Sequence, residues 1–148
     1  MSKKLIFSYV LLLLMFSASA QFRKIPAEVT DAFKAKYATA TGVSWRDKLS
    51  SFQADFKVGE KDMKATFSSK GEWVKTETKY DYNSVPADVK DGFKKSKYAD
   101  LPVQEVTRVE EKDKTEYKFL VKKSDFGKKY LVFSKSGQLV SDNAIVVK

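Results

Sequence analysis

The residues best suited to covalent and metal chemistry are missing, because the 148-residue sequence contains no His and no Cys. A Ser-His-Asp or Cys-His nucleophile, a zinc centre of the usual ligand types, a His-ligated haem and a redox dithiol are all excluded. Carboxylate chemistry is left, since a pair of carboxylates serves glycoside hydrolysis. The 19 Asp and Glu, however, stand in polar alternations or at the starts of helical patterns, where solvation and helix-end electrostatics account for them. Asp81-Tyr82-Asn83 begins like a calcium loop, but Ser84-Val85 breaks the ligand spacing and the loop glycine is missing. The glycines are scattered singly among turns, so no phosphate cradle forms. The expectation is a non-enzyme with no metal and no cofactor, whose function is binding.

Binding surfaces need elements to carry them, and an internal repeat organises these. Ile25-Pro26-Ala27-Glu28-Val29-Thr30-Asp31-Ala32-Phe33-Lys34 returns sixty positions later as Val85-Pro86-Ala87-Asp88-Val89-Lys90-Asp91-Gly92-Phe93-Lys94. Phe67-Ser68-Ser69-Lys70-Gly71 returns sixty-six positions later as Phe133-Ser134-Lys135-Ser136-Gly137. The second copy has therefore gained six residues, which are expected at the Glu110 to Thr115 hairpin, where a polar tip tolerates them.

Each copy opens with a helix. Ile25, Val29, Phe33 and Tyr37 recur at every fourth position, and the acids Glu28, Asp31, Asp88 and Asp91 suit a helix start. Pro26 and Pro86 fit a first turn that needs no amide hydrogen. Gly42 is expected to stop the first helix and Pro102 to bar continuation of the second. Period-two segments follow: Phe52, Ala54, Phe56 and Val58, then Met63, Ala65 and Phe67, answered in the second copy by Tyr117, Phe119 and Val121, then Leu131 and Phe133. Val43 to Lys48 and Val103 to Val109 read as the first strands.

The last hairpin of each copy suits a three-residue loop with a left-handed glycine, Gly71 or Gly137. That register sets Phe67 opposite Trp73 and Phe133 opposite Leu139, and places both pairs, Trp73 included, in the core; a one-residue slip would exchange the faces. The expected fold class is α+β: a helix followed by about four antiparallel strands, twice, with both helices on one face of a continuous antiparallel sheet.

The N-terminus reads as an export signal, with Lys3 and Lys4, an apolar run from Leu5 to Phe16, and small residues through Ala20. The boundaries are then 1–20 for the signal, 21–80 for the first repeat, 81–84 for a linker and 85–148 for the second repeat, with cleavage near Ala20/Gln21. Without a cysteine the chain is not a lipoprotein, and it is expected in the periplasm or outside the cell with no integral membrane segment. Two of the 28 Lys and Arg lie in the first 20 residues, which leaves 26 bases against 19 acids, or +7. Bases and acids alternate, as in Glu110-Glu111-Lys112-Asp113-Lys114, so nucleic acid is not an expected partner.

The apolar run, the two copies of [Ile/Val]-Pro-Ala-x-Val-x-Asp-x-Phe-Lys and the two Phe-Ser-x-x-Gly hairpins together resemble the bacterial PepSY-like periplasmic proteins, whose fold is similar to that of the beta-lactamase inhibitory protein. The resemblance covers residues 25 to 141. It implies a tandem α+β module that binds proteins or peptides, with peptidase or enzyme inhibition among its uses. It assigns no contact residues, because the inhibitory protein is disulfide-bonded and this chain has no cysteine.

Helices cover one sheet face only. In the preferred register the other face presents Gln53, Asp55, Lys57, Lys64 and Thr66 in the first copy, against Leu120, Tyr130, Val132 and Val140 in the second. The second set is more apolar, and Leu120, Tyr130, Val132 and Val140 are the expected partner-binding residues. The competing expectation is that Ala144 to Val147 form a strand that covers this patch. Self-association into a homodimer as an envelope protein, and carriage of a small ligand, are the other functional classes.

Overall fold

The computed structural model describes residues 23–124 and 127–145; the expected signal, its cleavage point and Val146 to Lys148 lie outside the described residues. Helix α1 (Ala27–Lys36) is followed by strands β1 (Thr41–Asp47), β2 (Ser51–Val58), β3 (Lys61–Ser68) and β4 (Trp73–Tyr80). A 3-10 turn (Tyr82–Ser84) leads to α2 (Ala87–Lys95) and then to β5 (Val103–Glu111), β6 (Thr115–Ser124), β7 (Gly127–Ser134) and β8 (Leu139–Ile145). The eight strands form one antiparallel sheet in chain order, β1 through β8. The fold is α+β, as the periodicities predict.

Both helices lie on the same sheet face. From α1, Val29 and Phe33 pack on Phe52, Ala54, Phe56, Ala65 and Phe67; from α2, Val89 and Phe93 pack on Val106, Phe119, Leu131 and Phe133. Each buried Val, Leu or Phe removes enough apolar surface from water to contribute about 1.5–3 kcal/mol. Phe33 meets Phe56 edge-on at 4.9 Å, and Phe93 meets Phe119 at 5.3 Å. Between the two clusters β4 buries Thr76 and Thr78. Thr76 stays satisfied there, because its Oγ1 accepts from Trp73 Nε1 at 2.8 Å and hydrogen-bonds the Tyr37 hydroxyl.

The last hairpins adopt the predicted register, Phe67 opposite Trp73 and Phe133 opposite Leu139. Gly71 and Gly137 take φ +83° and +81°. Trp73 packs against the first core, as expected. Leu139 does not bury: it is 36% exposed on β8, the last strand of the sheet, beyond which no strand pairs among the described residues.

Several element ends differ from the expectations. Helix α1 stops at Lys36, where the Tyr37 amide closes on the Phe33 carbonyl at 2.8 Å; Gly42 instead lies in β1 with φ +62°, at a bulge. Tyr37 and Ala40 still pack on the first core, so the four-residue spacing outlasts the helix that it suggested. Helix α2 ends at Lys95, well before Pro102, because Ser96 turns its hydroxyl back on the Phe93 carbonyl at 2.7 Å. Pro26 and Pro86 sit just outside the first turn, with ψ of 148° and 147°, rather than within it.

The six additional residues of the second half are also distributed. Trp45 pairs with Ala54 nine positions on, whereas Val106 pairs with Phe119 thirteen positions on. Four of the six therefore lengthen the β5–β6 strands, leaving a tip between Glu111 and Thr115 as short as the one between Asp47 and Ser51.

Candidate functional site

Strand alternation directs every second residue away from the helices. One row of register partners on the uncovered face runs Ser44, Asp55, Lys64, Glu77, Val109, Glu116, Ser134, crossing from β1 to β7. The next runs Lys79, Thr107, Lys118, Val132, Ser141, and a third runs Glu105, Leu120, Tyr130, Asn143. Part of these rows, from Ser44 and Asp55 through Glu77 and Lys118 to Tyr130, lines a groove of about 460 Å³ that reaches from β1 to β7.

The first-half residues Gln53, Asp55, Lys57, Lys64 and Thr66 all belong to this face, as the register required. Its charges are mostly paired: Arg46 with Asp55 at 3.1 Å, Lys57 with Asp62 at 3.4 Å, Lys75 with Glu77 at 3.5 Å and Lys79 with Glu105 at 3.3 Å. Lys118 reaches back across the middle of the sheet to Glu77 at 3.4 Å. Solvated pairs of this kind contribute between zero and about 1 kcal/mol each, so their main effect is to hold side chains and neutralise the floor.

Of the residues expected to bind a partner, the structure brings Leu120, Tyr130 and Val132 together on this face. Leu120 lies directly opposite Tyr130, and Val132 opposite Lys118. All three are half-buried, and the Lys118 ammonium stands 5.0 Å from the centre of the Tyr130 ring. Val140 is separate from them: it is the bulged residue of the edge strand, 54% exposed. Strand β8 extends the sheet beside β7 through Ile145 rather than folding over the face. To that point the tail leaves the Leu120–Tyr130 patch uncovered.

Sequence reading missed a second polar group, on the helix side of the sheet between the two cores. Arg108 donates from Nη1 to the Tyr80 hydroxyl at 3.0 Å and pairs through Nη2 with Glu110, while its Nε is buried without a partner. Burial works against its charge, but the bonds to Tyr80 and Glu110 outweigh that and raise its pKa. The run of alternating charges at Glu110 to Lys114 gives no sign that its first acid faces inward. Only the Val106↔Phe119 pairing, which fixes the face of β5, would have revealed it.

Among the described residues no group of three or more Asp or Glu side chains is placed to hold a metal ion. No described helix is long and apolar enough to cross a membrane.

Comparison with known proteins supports this fold. Residues 50–141 match the family described as "Putative beta-lactamase-inhibitor-like, PepSY-like". No curated protein matches the sequence. Among solved structures, a "BLIP-like protein" from Bacteroides fragilis aligns with a TM-score of 0.80 at 25% identity, covering 87% of this chain and 92% of that one. A "DUF2874 family protein" from Bacteroides uniformis aligns with a TM-score of 0.77 at 30% identity, covering 80% and 88%. A chain described among "putative periplasmic proteins" of Bacteroides eggerthii aligns with a TM-score of 0.78 at 28% identity, covering 83% and 91%.

Proposed function

We propose that this chain, which belongs to the PepSY-like, beta-lactamase-inhibitor-like family, is an exported, non-catalytic module that binds a protein or peptide on its uncovered sheet face and acts as an inhibitor. The observation that carries the reading is the groove across that face, which ends at Tyr130, with Leu120 opposite Tyr130 and Val132 on the same face beside it, all three half-buried. A helix-covered sheet spends one face on its own core. The second face is free to meet another molecule, and apolar groups left on it favour association. The description of a similar structure as BLIP-like, and of another as periplasmic, agrees with an inhibitor that works outside the cytoplasm.

Export predicts a mature chain that starts at Gln21, which N-terminal sequencing of the envelope-fraction protein would check. Binding is tested with the Tyr130→Ser, Val132→Ser double variant. The purified protein and the variant are compared for capture of envelope proteins and for inhibition of a panel of beta-lactamases and peptidases. A specific target held or inhibited by the parent and not by an equally folded variant is the expected result. Targets retained equally by both would move the binding surface elsewhere. A parent that retains nothing and sediments as a dimer would favour self-association through the open edges β1 and β8 instead.

A further inference from the structure

The β1–β2 tip holds an apolar side chain out into solvent on a backbone that is fixed from both sides, and we propose that it is a second contact for a bound protein, with Leu49 seated in an apolar pocket of that protein. The inference rests on the reading of this chain as a protein-binding module and adds a contact outside the groove, whose lining on β1 is Gly42 and Ser44.

A lone exposed leucine is ordinary on a protein surface. Leu49 is set apart by its backbone. It takes φ +65°, and among the described residues it is the one residue other than glycine in the left-handed region; Gly42, Gly59, Gly71 and Gly137 hold the other such positions. A bulky side chain is costly in that region, and a turn alone is served by Gly, Asn or Asp. The second half of the chain makes the same turn without that cost. The Lys48 amide donates to the Ser51 carbonyl and the Glu111 amide to the Lys114 carbonyl, each at 2.9 Å, so Leu49 corresponds to Lys112. There the tip reads Lys112-Asp113 and has no left-handed residue, whereas here it carries a leucine that is 91% exposed.

The strained tip is also held. Asp47 Oδ1 accepts from the Leu49 amide at 3.0 Å, and the Ser50 amide donates to the Lys48 carbonyl at 2.8 Å. Arg23 reaches the same turn from the chain before α1: its Nε donates to Asp47 Oδ2 at 2.7 Å, and its Nη2 pairs with Asp47 Oδ1 at 2.5 Å and donates to the Leu49 carbonyl. The Arg23 guanidinium stands 5.0 Å from the ring centre of Phe52, which is buried. The backbone of Leu49 is therefore bonded at both its amide and its carbonyl, while its side chain is left exposed. An apolar group fixed before binding loses little freedom on binding, so its burial is realised as affinity. A lipid surface is the weaker fit. It gains nothing from a fixed side chain, and one leucine supplies less apolar area than the single acyl chain that binds a membrane only marginally.

The test measures inhibition of the panel of beta-lactamases and peptidases by the purified protein, by Leu49→Gly and Leu49→Met, and by the Tyr130→Ser, Val132→Ser variant. Leu49→Gly should keep a urea midpoint at or above the parent's, because glycine accepts the left-handed turn, yet inhibit about tenfold more weakly; Leu49→Met should inhibit as the parent does. A Leu49→Gly midpoint below the parent's would show that the leucine secures the turn and would overturn the contact. Inhibition by Leu49→Gly equal to the parent's, where the Tyr130→Ser, Val132→Ser variant has lost it, would overturn the tip contact and leave the groove in place. Weaker inhibition by Leu49→Gly alone would keep the tip and overturn the groove. A parent that inhibits no enzyme of the panel would overturn both. Phosphatidylglycerol vesicles that retain the parent and release Leu49→Gly, with inhibition equal in the two, would move Leu49 to a lipid surface and overturn the protein pocket.

Discussion

Gly71 and Gly137 occupy equivalent positions and bear the same two constraints. Each takes a left-handed φ, and each brings a hairpin against the first turn of a helix so closely that an added Cβ would stand 2.5 Å from the Glu28 carbonyl oxygen or 2.1 Å from that of Asp88. The neighbouring atoms are backbone and cannot swing aside. Gly137→Ala is expected to destabilise the protein by at least about 2 kcal/mol, from left-handed strain together with displacement of α2, and urea unfolding would measure it. Both hairpins were legible in the sequence because turn chemistry is local. Glycine in a Phe-Ser-x-x-Gly string specifies the loop, and the loop specifies which residues face the core. The Arg108–Glu110 pair was not legible, because its inward direction depends on strand pairings made well beyond the local sequence. Asp142 is a similar case, a polar residue of the edge strand bonded by the Tyr98 hydroxyl and lying near Lys129 and Lys97 at 3.6 Å each.

At the scale of elements, that carboxylate anchors β8. The Tyr98 hydrogen bond and the two lysines lower the Asp142 pKa below its ordinary 3.8. A depressed carboxylate pKa stabilises the fold above the ordinary value, and the contribution is lost as pH falls through the folded value. Hydrogen exchange of the β8 amides is therefore expected to accelerate below about pH 3.8 in the parent relative to the other strands. The Asp142→Asn variant should exchange faster already at neutral pH and lose that dependence; identical profiles for the two would show that Asp142 does not secure the edge. The helix ends lie on the same scale, and there local reading reached its limit. Apolar spacing alone continues through Tyr37 to Ala40, yet the chain leaves the helix at Lys36 and still delivers both side chains to the core. Gly42 and Pro102, the expected breakers, come after both helices have ended through backbone closure at Tyr37 and the Ser96 hydroxyl.

Over the whole molecule, two apolar clusters share one sheet. Six register pairs, Lys75–Tyr80 with Val106–Glu111, join β4 to β5 and make the halves continuous. Both tryptophans, Trp45 and Trp73, belong to the first cluster, so their fluorescence reports on that half while far-ultraviolet circular dichroism reports on both. The two signals are expected to give one superimposable urea transition, because separating the halves would expose the buried Thr76 and Thr78 and break the β4–β5 ladder. Distinct midpoints would show instead that each half stands on its own core. The α+β class was readable from two periodicities in succession, and so was the existence of an uncovered face, since two helices cannot cover both sides of a sheet. The charge pairing on that face was not, because Lys118 and Glu77 come from different halves and meet only once the sheet is continuous.

The order of strands has a consequence for how the chain reaches this state. Every strand pairs only with the strands immediately before and after it in sequence, and each helix packs on strands of its own half. Within each half every closure spans a short turn, and the one longer connection, residues 81–102 with α2, joins β4 to β5. Contacts of short sequence separation favour rapid folding for a sheet of this size. A chain synthesised from its N-terminus can lay down its sheet one strand at a time, with α1 and β1–β4 available to pair before β8 is made.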